Sequence, residues 1–105
     1  MSATSRNRLL EPGELEACLA ALPSWSCAQG RLLRSYRFDD FRQAFAFMTR
    51  CALEAERLDH HPDWSNAYGR VEVELRSHQL GGVSVACAAL ARVMEACAAQ
   101  LGGAD

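Results

Sequence analysis

The sequence predicts an α+β domain in which three helices cover one face of a four-stranded antiparallel sheet, in the order α-β-β-α-β-β-α. Three stretches carry apolar residues at every third or fourth position. Two pairs of short extended segments are each joined by a turn that contains glycine, and one segment alternates strictly between apolar and charged residues. A chain of 105 residues has the length of one domain. We therefore expect a single domain over residues 1–105, with an ordered core over about residues 11–101.

The first helix and the first hairpin follow from residue spacing and from turn-forming residues. Residues 11–22 are predicted to be helical, because Pro12 suits a first helical turn and Pro23 ends the helix. The apolar face of this helix consists of Leu15, Cys18, Leu19 and Leu22. Residues 25–27 and 32–38 then flank a short polar turn with a glycine, which is typical of a β-hairpin.

A long second helix is predicted from residue 39 or 40 to residue 58. Acidic residues near its start suit the helix dipole, and apolar side chains recur along it with helical spacing. We expect its buried stripe to consist of Phe41, Phe45, Met48, Ala52 and Ala55. Pro62 disfavours helical geometry at the residue before it, so the chain should leave the helix by His61.

Residues 64–68 and 70–76 form the second predicted hairpin, with Gly69 at its turn. Its last strand alternates between valine or leucine and glutamate, which indicates one buried face and one solvated face. Ser84 is a suitable N-cap for a third helix, which ends before the glycines at 102–103. The apolar stripe of this helix consists of Val83, Cys87, Leu90, Met94, Cys97 and Leu101.

Composition excludes several classes of protein. Half of the residues are apolar (50%) and the formal net charge is -2, so neither a disordered chain nor a nucleic-acid partner is indicated. The cysteines are odd in number and form no C-x-x-C pair, so we interpret them as core residues in a reducing compartment. They are Cys18, Cys27, Cys51, Cys87 and Cys97. No apolar run approaches the roughly 20 residues of a membrane span, and the N-terminus lacks a hydrophobic signal core. We therefore expect a cytoplasmic protein without a membrane partner.

All three histidines of the chain lie around one short extended segment. His60 and His61 are adjacent and are followed by Pro62, and His78 comes shortly after the alternating strand. Imidazole gains and loses protons near neutral pH, so histidines at one sheet edge indicate proton-transfer chemistry. A three-histidine zinc site is the other functional interpretation, which we disfavour because adjacent side chains of an extended segment point apart.

The histidines belong to a longer pattern in which an acidic residue, His-His-Pro, an aromatic residue and a further histidine follow at fixed spacing. The residues that match it are Glu56, His60, His61, Pro62, Tyr68 and His78. In this pattern the chain resembles the pterin-4a-carbinolamine dehydratase family. The resemblance covers nearly the whole domain, from about residue 15 to about residue 97.

The resemblance implies an enzyme that removes water from a 4a-hydroxy-tetrahydropterin and gives the quinonoid dihydropterin, which is then recycled for aromatic amino-acid hydroxylases. It implies no metal and no organic cofactor. By analogy, His60 and His78 transfer protons and stabilise the leaving group, and His61 binds and orients the pterin. Glu56 either hydrogen-bonds an imidazole or is a solvated carboxylate at the helix end. The substrate contacts implied by the resemblance are His60, His61, Pro62, Ser77, His78, Gln79 and Leu80.

Other side chains have two open interpretations. Trp25, Trp64 and Tyr68 can stack on the pterin, although aromatic residues in strands more commonly belong to a core or an interface. The family has an aspartate at the position that Cys87 occupies here. Because Cys87 also continues the apolar stripe of the third helix, we favour a packed residue over a reactive thiol.

Two functions follow from the resemblance. The first is an active or weakly active dehydratase that binds a pterin and assembles as a homodimer or a homotetramer. The second is a catalytically silent dehydratase-like protein that acts on a protein client. Such a client role is known for a RuBisCO assembly factor of carboxysome bacteria and for a transcriptional dimerisation cofactor. The change to Cys87 favours the second function, and the intact histidines favour the first.

Overall fold

The computed structural model describes residues 7–103, so residues 1–6 and 104–105 of the predicted domain lie outside it. The predicted α+β fold and its element order are confirmed. The elements are α1 (Pro12–Ala21), β1 (Ser26–Ala28), β2 (Arg31–Arg37), α2 (Phe41–Leu58), β3 (Asp63–Ala67), β4 (Arg70–Leu75) and α3 (Val85–Gln100). The four strands form one antiparallel sheet in the order β1-β2-β4-β3. Each predicted strand lies within one residue of the observed one.

The two hairpin turns depend on particular backbone positions. Gln29 and Gly30 both have positive φ, of 56° and 74°, which suits the right-handed twist of the paired strands β1 and β2. In the turn between β3 and β4, a Cβ atom on Gly69 would lie 2.4 Å from the carbonyl oxygen of Phe38. The amide of Phe38 donates to Gly69 O at 2.7 Å, so this turn is held against the end of β2.

The core lies between the sheet and the helices. The alternation predicted for β4 is confirmed, because Val71, Val73 and Leu75 are buried and Glu72 is exposed. From β2, the core receives Leu32 and Tyr36. The predicted stripe of α3 is also confirmed, since its members within the helix are all buried. These are Cys87, Leu90, Met94 and Cys97.

The stripe predicted for α2 is wrong at Phe41, Phe45 and Ala52 but is confirmed at Ala55, and Met48 is partly buried. Phe41 and Phe45 are 50% and 56% exposed, and their rings pack on each other at 5.5 Å between centroids. Besides Ala55, the buried face consists of Ala44, Phe47 and Cys51. Small side chains on this face let α2 approach its neighbours closely, which the spacing of apolar residues alone does not reveal. Phe47 fills the remaining space, with its ring 4.8 Å from that of Tyr36.

A carboxylate on α3 is bound by two residues of β2 and by one residue of the segment before β1. Oε1 of Glu95 accepts hydrogen bonds from Trp25 Nε1 at 2.7 Å, Arg34 Nε at 2.8 Å and Tyr36 Oη at 2.9 Å. The Arg34 side chain is only 6% exposed, and its guanidinium stands 4.1 Å from the centroid of the Tyr36 ring. Burial alone would raise the pKa of Glu95. The three hydrogen bonds and the nearby guanidinium outweigh burial and hold this pKa below its usual range.

Residues 7–10 form an antiparallel contact with the segment that precedes α3. The amide of Leu10 donates to Val83 O at 2.9 Å, and the amide of Val85 donates to Arg8 O at 2.9 Å. Asn7 extends this contact, because its Oδ1 accepts from the amide of Ala86 at 3.0 Å. The N-terminal segment therefore reaches the start of α3.

The cysteines are free thiols, and four of the five are buried, as predicted for core residues. The buried ones are Cys18, Cys51, Cys87 and Cys97. Within residues 7–103, no helix has both the length and the apolar character that crossing a membrane requires.

Candidate active site

A cavity of about 240 Å³ brings the three histidines together. It lies where α2 ends, where the chain leaves β4 and where α3 begins. Its lining residues are Asn7, Leu58, Asp59, His60, His61, Arg76, Ser77, His78, Gln79 and Ala86. Because it gathers all three imidazoles of the chain, we take this cavity as the candidate active site.

His60 is positioned by the C-terminal end of α2. Asp59 is the C-cap in the left-handed conformation, with φ of 52°, and the amide of His60 donates to Ala55 O at 3.0 Å. The ring Nε2 lies 3.2 Å from Sγ of Cys87. Burial lowers the pKa of His60, and the charges of His61 and His78 lower it further. His60 is therefore a neutral imidazole at pH 7.

Cys87 lies in the first turn of α3 and is fully buried. Ser84, the N-cap of this helix, accepts from the amide of Cys87 at 3.3 Å and donates from its hydroxyl to Sγ at 3.4 Å. Burial raises the pKa of the Cys87 thiol in spite of these hydrogen bonds. The favoured interpretation of Cys87 as a packed residue is confirmed, and the structure adds its contact with His60.

His61 pairs with the predicted acidic residue of the motif. Its Nε2 lies 2.6 Å from Oε1 of Glu56, and the two side chains are 59% and 76% exposed. Glu56 thus contacts His61 and not His60, and it combines the two alternatives considered for it. It is a solvated carboxylate that also hydrogen-bonds an imidazole.

His78 pairs with a carboxylate that the sequence reasoning missed. Its Nε2 lies 2.9 Å from Oδ2 of Asp63, the first residue of β3. Asp63 directly follows Pro62, and β3 pairs with β4 so that Asp63 stands opposite Glu74, near the end of β4. The sequence did contain a signal for this pair. Asp63 is an acidic residue next to the His-His-Pro motif, and it lies at the end of the sheet from which the chain continues to His78.

The segment from Ser77 to Gly82 forms a closed turn beside the cavity. The amide of Ser77 donates to Gly82 O at 2.8 Å, and the Ser77 hydroxyl accepts from the amide of Leu80 at 3.0 Å. Of the substrate contacts implied here, Ser77 and Gln79 line the cavity. Leu80 and Pro62 do not line it, and Leu80 is 38% exposed.

Five cavity residues were not foreseen, namely Asn7, Leu58, Asp59, Arg76 and Ala86. Asn7 lies in the polar N-terminal stretch, where nothing in the sequence indicated a role. Arg76 directly precedes Ser77, and its position after the alternating strand was a usable signal. The Nε atom of Arg76 is buried and has no hydrogen-bond partner among residues 7–103. The cavity lining therefore includes a guanidinium whose Nε–H group has no hydrogen-bond partner in the described part of the chain.

The aromatic residues considered for stacking lie elsewhere. Trp25 is 4% exposed and belongs to the core, and Trp64 packs against that core. Tyr68 is 86% exposed in the turn between β3 and β4. None of the three lines the cavity. The interpretation of the two tryptophans as core residues is confirmed, and Tyr68 is a surface residue.

A broader depression of about 700 Å³ lies on the uncovered face of the sheet, but it contains no histidine. In the part of the chain that the structure describes, no group of three or more histidine, cysteine or acidic side chains is arranged to hold a metal ion. The three histidines instead have three different partners, Cys87, Glu56 and Asp63. The cavity is thus equipped for proton transfer.

The sequence of this chain is similar to those of known proteins. The sequence profile of the family described as Pterin 4 alpha carbinolamine dehydratase matches residues 8–97. A protein of Synechococcus sp. (strain WH7803) that carries the name "Putative pterin-4-alpha-carbinolamine dehydratase" is 51% identical over 88 residues, which cover 84% of this chain and 95% of that protein. A protein of the same name from Rhodopseudomonas palustris (strain BisB18) is 53% identical over 87 residues, covering 81% and 86% of the two chains.

The similarity extends to a solved structure. The crystal structure of a transcriptional coactivator/pterin dehydratase from Brucella melitensis superposes with a TM-score of 0.83 at 43% sequence identity. The match covers 87% of this chain and 99% of that one. The two proteins therefore share sequence as well as fold.

Proposed function

This chain belongs to the pterin 4 alpha carbinolamine dehydratase family, and from that premise we propose that it dehydrates a 4a-hydroxy-tetrahydropterin to the quinonoid dihydropterin. The observation that carries the proposal is the cavity of about 240 Å³ lined by His60, His61 and His78. Drug-sized ligands occupy cavities of roughly 300–1,000 Å³, so this volume suits a compact bicyclic ring. Because all three histidines line this cavity, it supports acid-base chemistry.

The reaction requires one proton donor and one proton acceptor. The bond between C4a and the hydroxyl oxygen breaks, and the oxygen keeps the electron pair and leaves as water after it receives a proton. A ring N–H loses its proton to a base, and its electron pair forms the new C=N bond. No electrons enter or leave the system, so side-chain acids and bases are sufficient.

The side chains of the cavity provide these roles in our proposal. His60 and His78 together supply proton transfer and stabilisation of the leaving group, and the hydrogen bond between His78 and Asp63 orients the ring of His78. His61, oriented by Glu56, binds the pterin. The backbone of residues 77–80 and the Ser77 and Gln79 side chains hold the polar edge of the pterin. Pro62 sets the direction of the chain after His61 and has no direct contact.

We further propose that the chain forms a homodimer or a homotetramer. Phe41, Phe45 and Leu53 expose apolar surface on α2, with Leu53 64% exposed. Apolar side chains that a helix presents together commonly mark an interface. Strands β1 and β3 are the edges of the sheet and offer unpaired backbone groups to a second copy. The free thiols suit a reducing compartment such as the cytoplasm.

The second candidate function is binding of a protein client by a catalytically silent chain. It is favoured by the same exposed face of α2 and by a buried thiol, Cys87, in place of the family's aspartate beside His60. The Brucella melitensis protein is described as a transcriptional coactivator as well as a pterin dehydratase. A role as a RuBisCO assembly factor or a dimerisation cofactor would use this surface and leave the cavity idle.

Stopped-flow absorbance with synthetic 4a-hydroxy-tetrahydropterin distinguishes the two. We expect wild-type protein to accelerate dehydration above the spontaneous rate, and His78→Ala to lose about 100-fold or more of that acceleration. Tyr68→Ala is the control, because Tyr68 matches the motif but lies outside the cavity. A wild-type protein that leaves the spontaneous rate unchanged would refute the dehydratase. If Cys87→Asp then gained activity, the client-binding function would be favoured.

A further inference from the structure

The contact between α3 and the end of α2 joins a thiol to a ring of the candidate site. Sγ of Cys87 lies 3.2 Å from Nε2 of His60, within hydrogen-bond range for sulfur. Cys87 is fully buried, whereas His60 is half-buried at the cavity. The thiol therefore contacts the ring edge at Nε2, and because it is fully buried it has no access to a ligand.

The direction of this hydrogen bond follows from the partners of the sulfur. The Ser84 hydroxyl donates to Sγ, and Ser84 Oγ already accepts the amide of Cys87. The acceptor left for the thiol proton, among the described residues, is Nε2 of His60. Burial raises the pKa of Cys87, so the thiol keeps this proton at neutral pH.

The protonation state of the ring is consistent with this direction. The neighbouring charges of His61 and His78 disfavour the imidazolium, while Asp59 and Asp63 favour it. Burial is the largest influence, and the net effect lowers the pKa of His60. A neutral imidazole has one N–H group and one nitrogen with a free lone pair. If Nε2 accepts the hydrogen bond from the thiol, the ring proton must therefore be on Nδ1.

We propose that Cys87 is a positioning residue that donates its thiol proton in a hydrogen bond to Nε2 of His60 and thereby fixes the neutral ring with its proton on Nδ1. His60 then presents an N–H to a ligand rather than a lone pair. In the dehydration proposed above, on which this step rests, His60 stabilises the departing hydroxyl by a hydrogen bond from its Nδ1–H group. His78 accepts the ring proton of the pterin, and the imidazolium that it becomes returns one proton to the hydroxyl oxygen, which leaves as water.

The tautomer of His60 can be measured without substrate. Protein labelled with ¹⁵N-histidine would be titrated by NMR, and long-range ¹H–¹⁵N correlations would identify which ring nitrogen of His60 carries the proton. The variants are Cys87→Ala, which removes the donor, and Cys87→Asp, which leaves only an acceptor. Cys51→Ala is the matched control, because Cys51 is also a fully buried thiol but its hydrogen bond is to Cys97 rather than to a histidine.

We expect wild-type protein and Cys51→Ala to hold the proton on Nδ1 of His60. Cys87→Ala should lower the population of this tautomer, and Cys87→Asp should move the proton to Nε2 and raise the pKa of His60 by about one unit or more. A wild-type ring protonated on Nε2 would overturn the proposal. So would an unchanged tautomer in Cys87→Ala, which decides the question if Cys87→Asp does not fold.

The turnover assay answers a separate question. If the tautomer depends on Cys87 but no dehydration is observed, the proposed function fails while the positioning of His60 stands. If dehydration is observed and the tautomer is independent of Cys87, the positioning proposal fails alone.

Discussion

Replacing Glu95 by glutamine should destabilise the fold, because one carboxylate oxygen of α3 accepts hydrogen bonds from β2 and from the segment before β1. Oε1 of Glu95 accepts from Trp25, Arg34 and Tyr36 at 2.7, 2.8 and 2.9 Å. Glutamine keeps a carbonyl oxygen of similar reach and removes the negative charge. Glu95→Gln therefore tests the charge of the network rather than its shape.

The structure sets the expected magnitude. A hydrogen bond to a charged group contributes about 1.5–3 kcal/mol and a neutral one about 0.5–1.5 kcal/mol, so the three bonds together would lose about 3 kcal/mol. The Glu95 side chain is 31% exposed, however, and water screens part of this loss. We expect about 2 kcal/mol, which corresponds to a melting temperature lower by about 10 °C for a domain of this length.

The assay is urea unfolding at a fixed protein concentration, since assembly would make stability depend on concentration. The pKa of Glu95 is lower in the folded chain than its ordinary value of 4.5. The stabilisation by the carboxylate is therefore complete above pH 4.5 and is lost as the pH falls through the folded pKa. The difference between wild type and Glu95→Gln should accordingly shrink in acid.

Glu54→Gln is a matched control. The Glu54 side chain is 32% exposed, nearly the same as Glu95, but its partner Arg57 is 76% exposed whereas Arg34 is 6% exposed. A surface pair of this kind contributes about 0.5 kcal/mol or less. If Glu95→Gln were no more destabilising than Glu54→Gln, or if its effect did not depend on pH, the reasoning about the buried arginine would be refuted.

Three further predictions concern pH, the second hairpin and assembly. Acidification from about pH 7.5 to about pH 5.5 should lower the free energy of unfolding of wild type more than that of His60→Gln, as urea midpoints would show. The pKa of His60 is lowered in the folded chain, so the unfolded chain binds more protons below the ordinary value of 6.5. Gly69→Ala should cost about 2 kcal/mol or more in urea unfolding, because its Cβ would meet Phe38 O at 2.4 Å. Gly13→Ala in α1 should instead stabilise by about 0.5–1 kcal/mol, since nothing lies within 4 Å of its Cβ. Phe45→Glu should lower the mass measured by light scattering after size exclusion while circular dichroism stays unchanged, because the 56% exposed ring contributes to the proposed interface.

Each of these has a contrary result. Parallel pH dependence in wild type and His60→Gln would contradict the lowered pKa of His60. Equal stabilities of Gly69→Ala and Gly13→Ala would contradict the close approach to Phe38. An unchanged assembly mass in Phe45→Glu would place the interface elsewhere, for example at the sheet edges.

Much of the fold could be predicted because its signals are local. The strict alternation of β4 and the spacing of α3 each report a single element and the face that it buries. The hairpin glycines and Ser84 report turns and a helix start through the conformations that these residue types favour. For the same reason, the three histidines could be placed at one junction before any contact was known.

The amphipathic pattern of α2 could not be resolved in this way. Its apolar residues exceed one stripe, so two faces compete, and the helical spacing that we followed ran through Phe41 and Phe45. Tertiary packing buried Ala44, Phe47 and Cys51 instead, because small side chains allow close approach to the neighbouring elements.

The partners of the site were decided only by the tertiary structure. The sequence by itself determined the element order, the hairpins and the gathering of His60, His61 and His78 beside Pro62. It left open that Asp63 meets His78 and that Cys87 meets His60, because these contacts join residues 15 and 27 positions apart in the chain. Residue types and periodicity specify what each segment can form. Which charged or polar atoms meet depends on how packed helices and strands bring distant segments together.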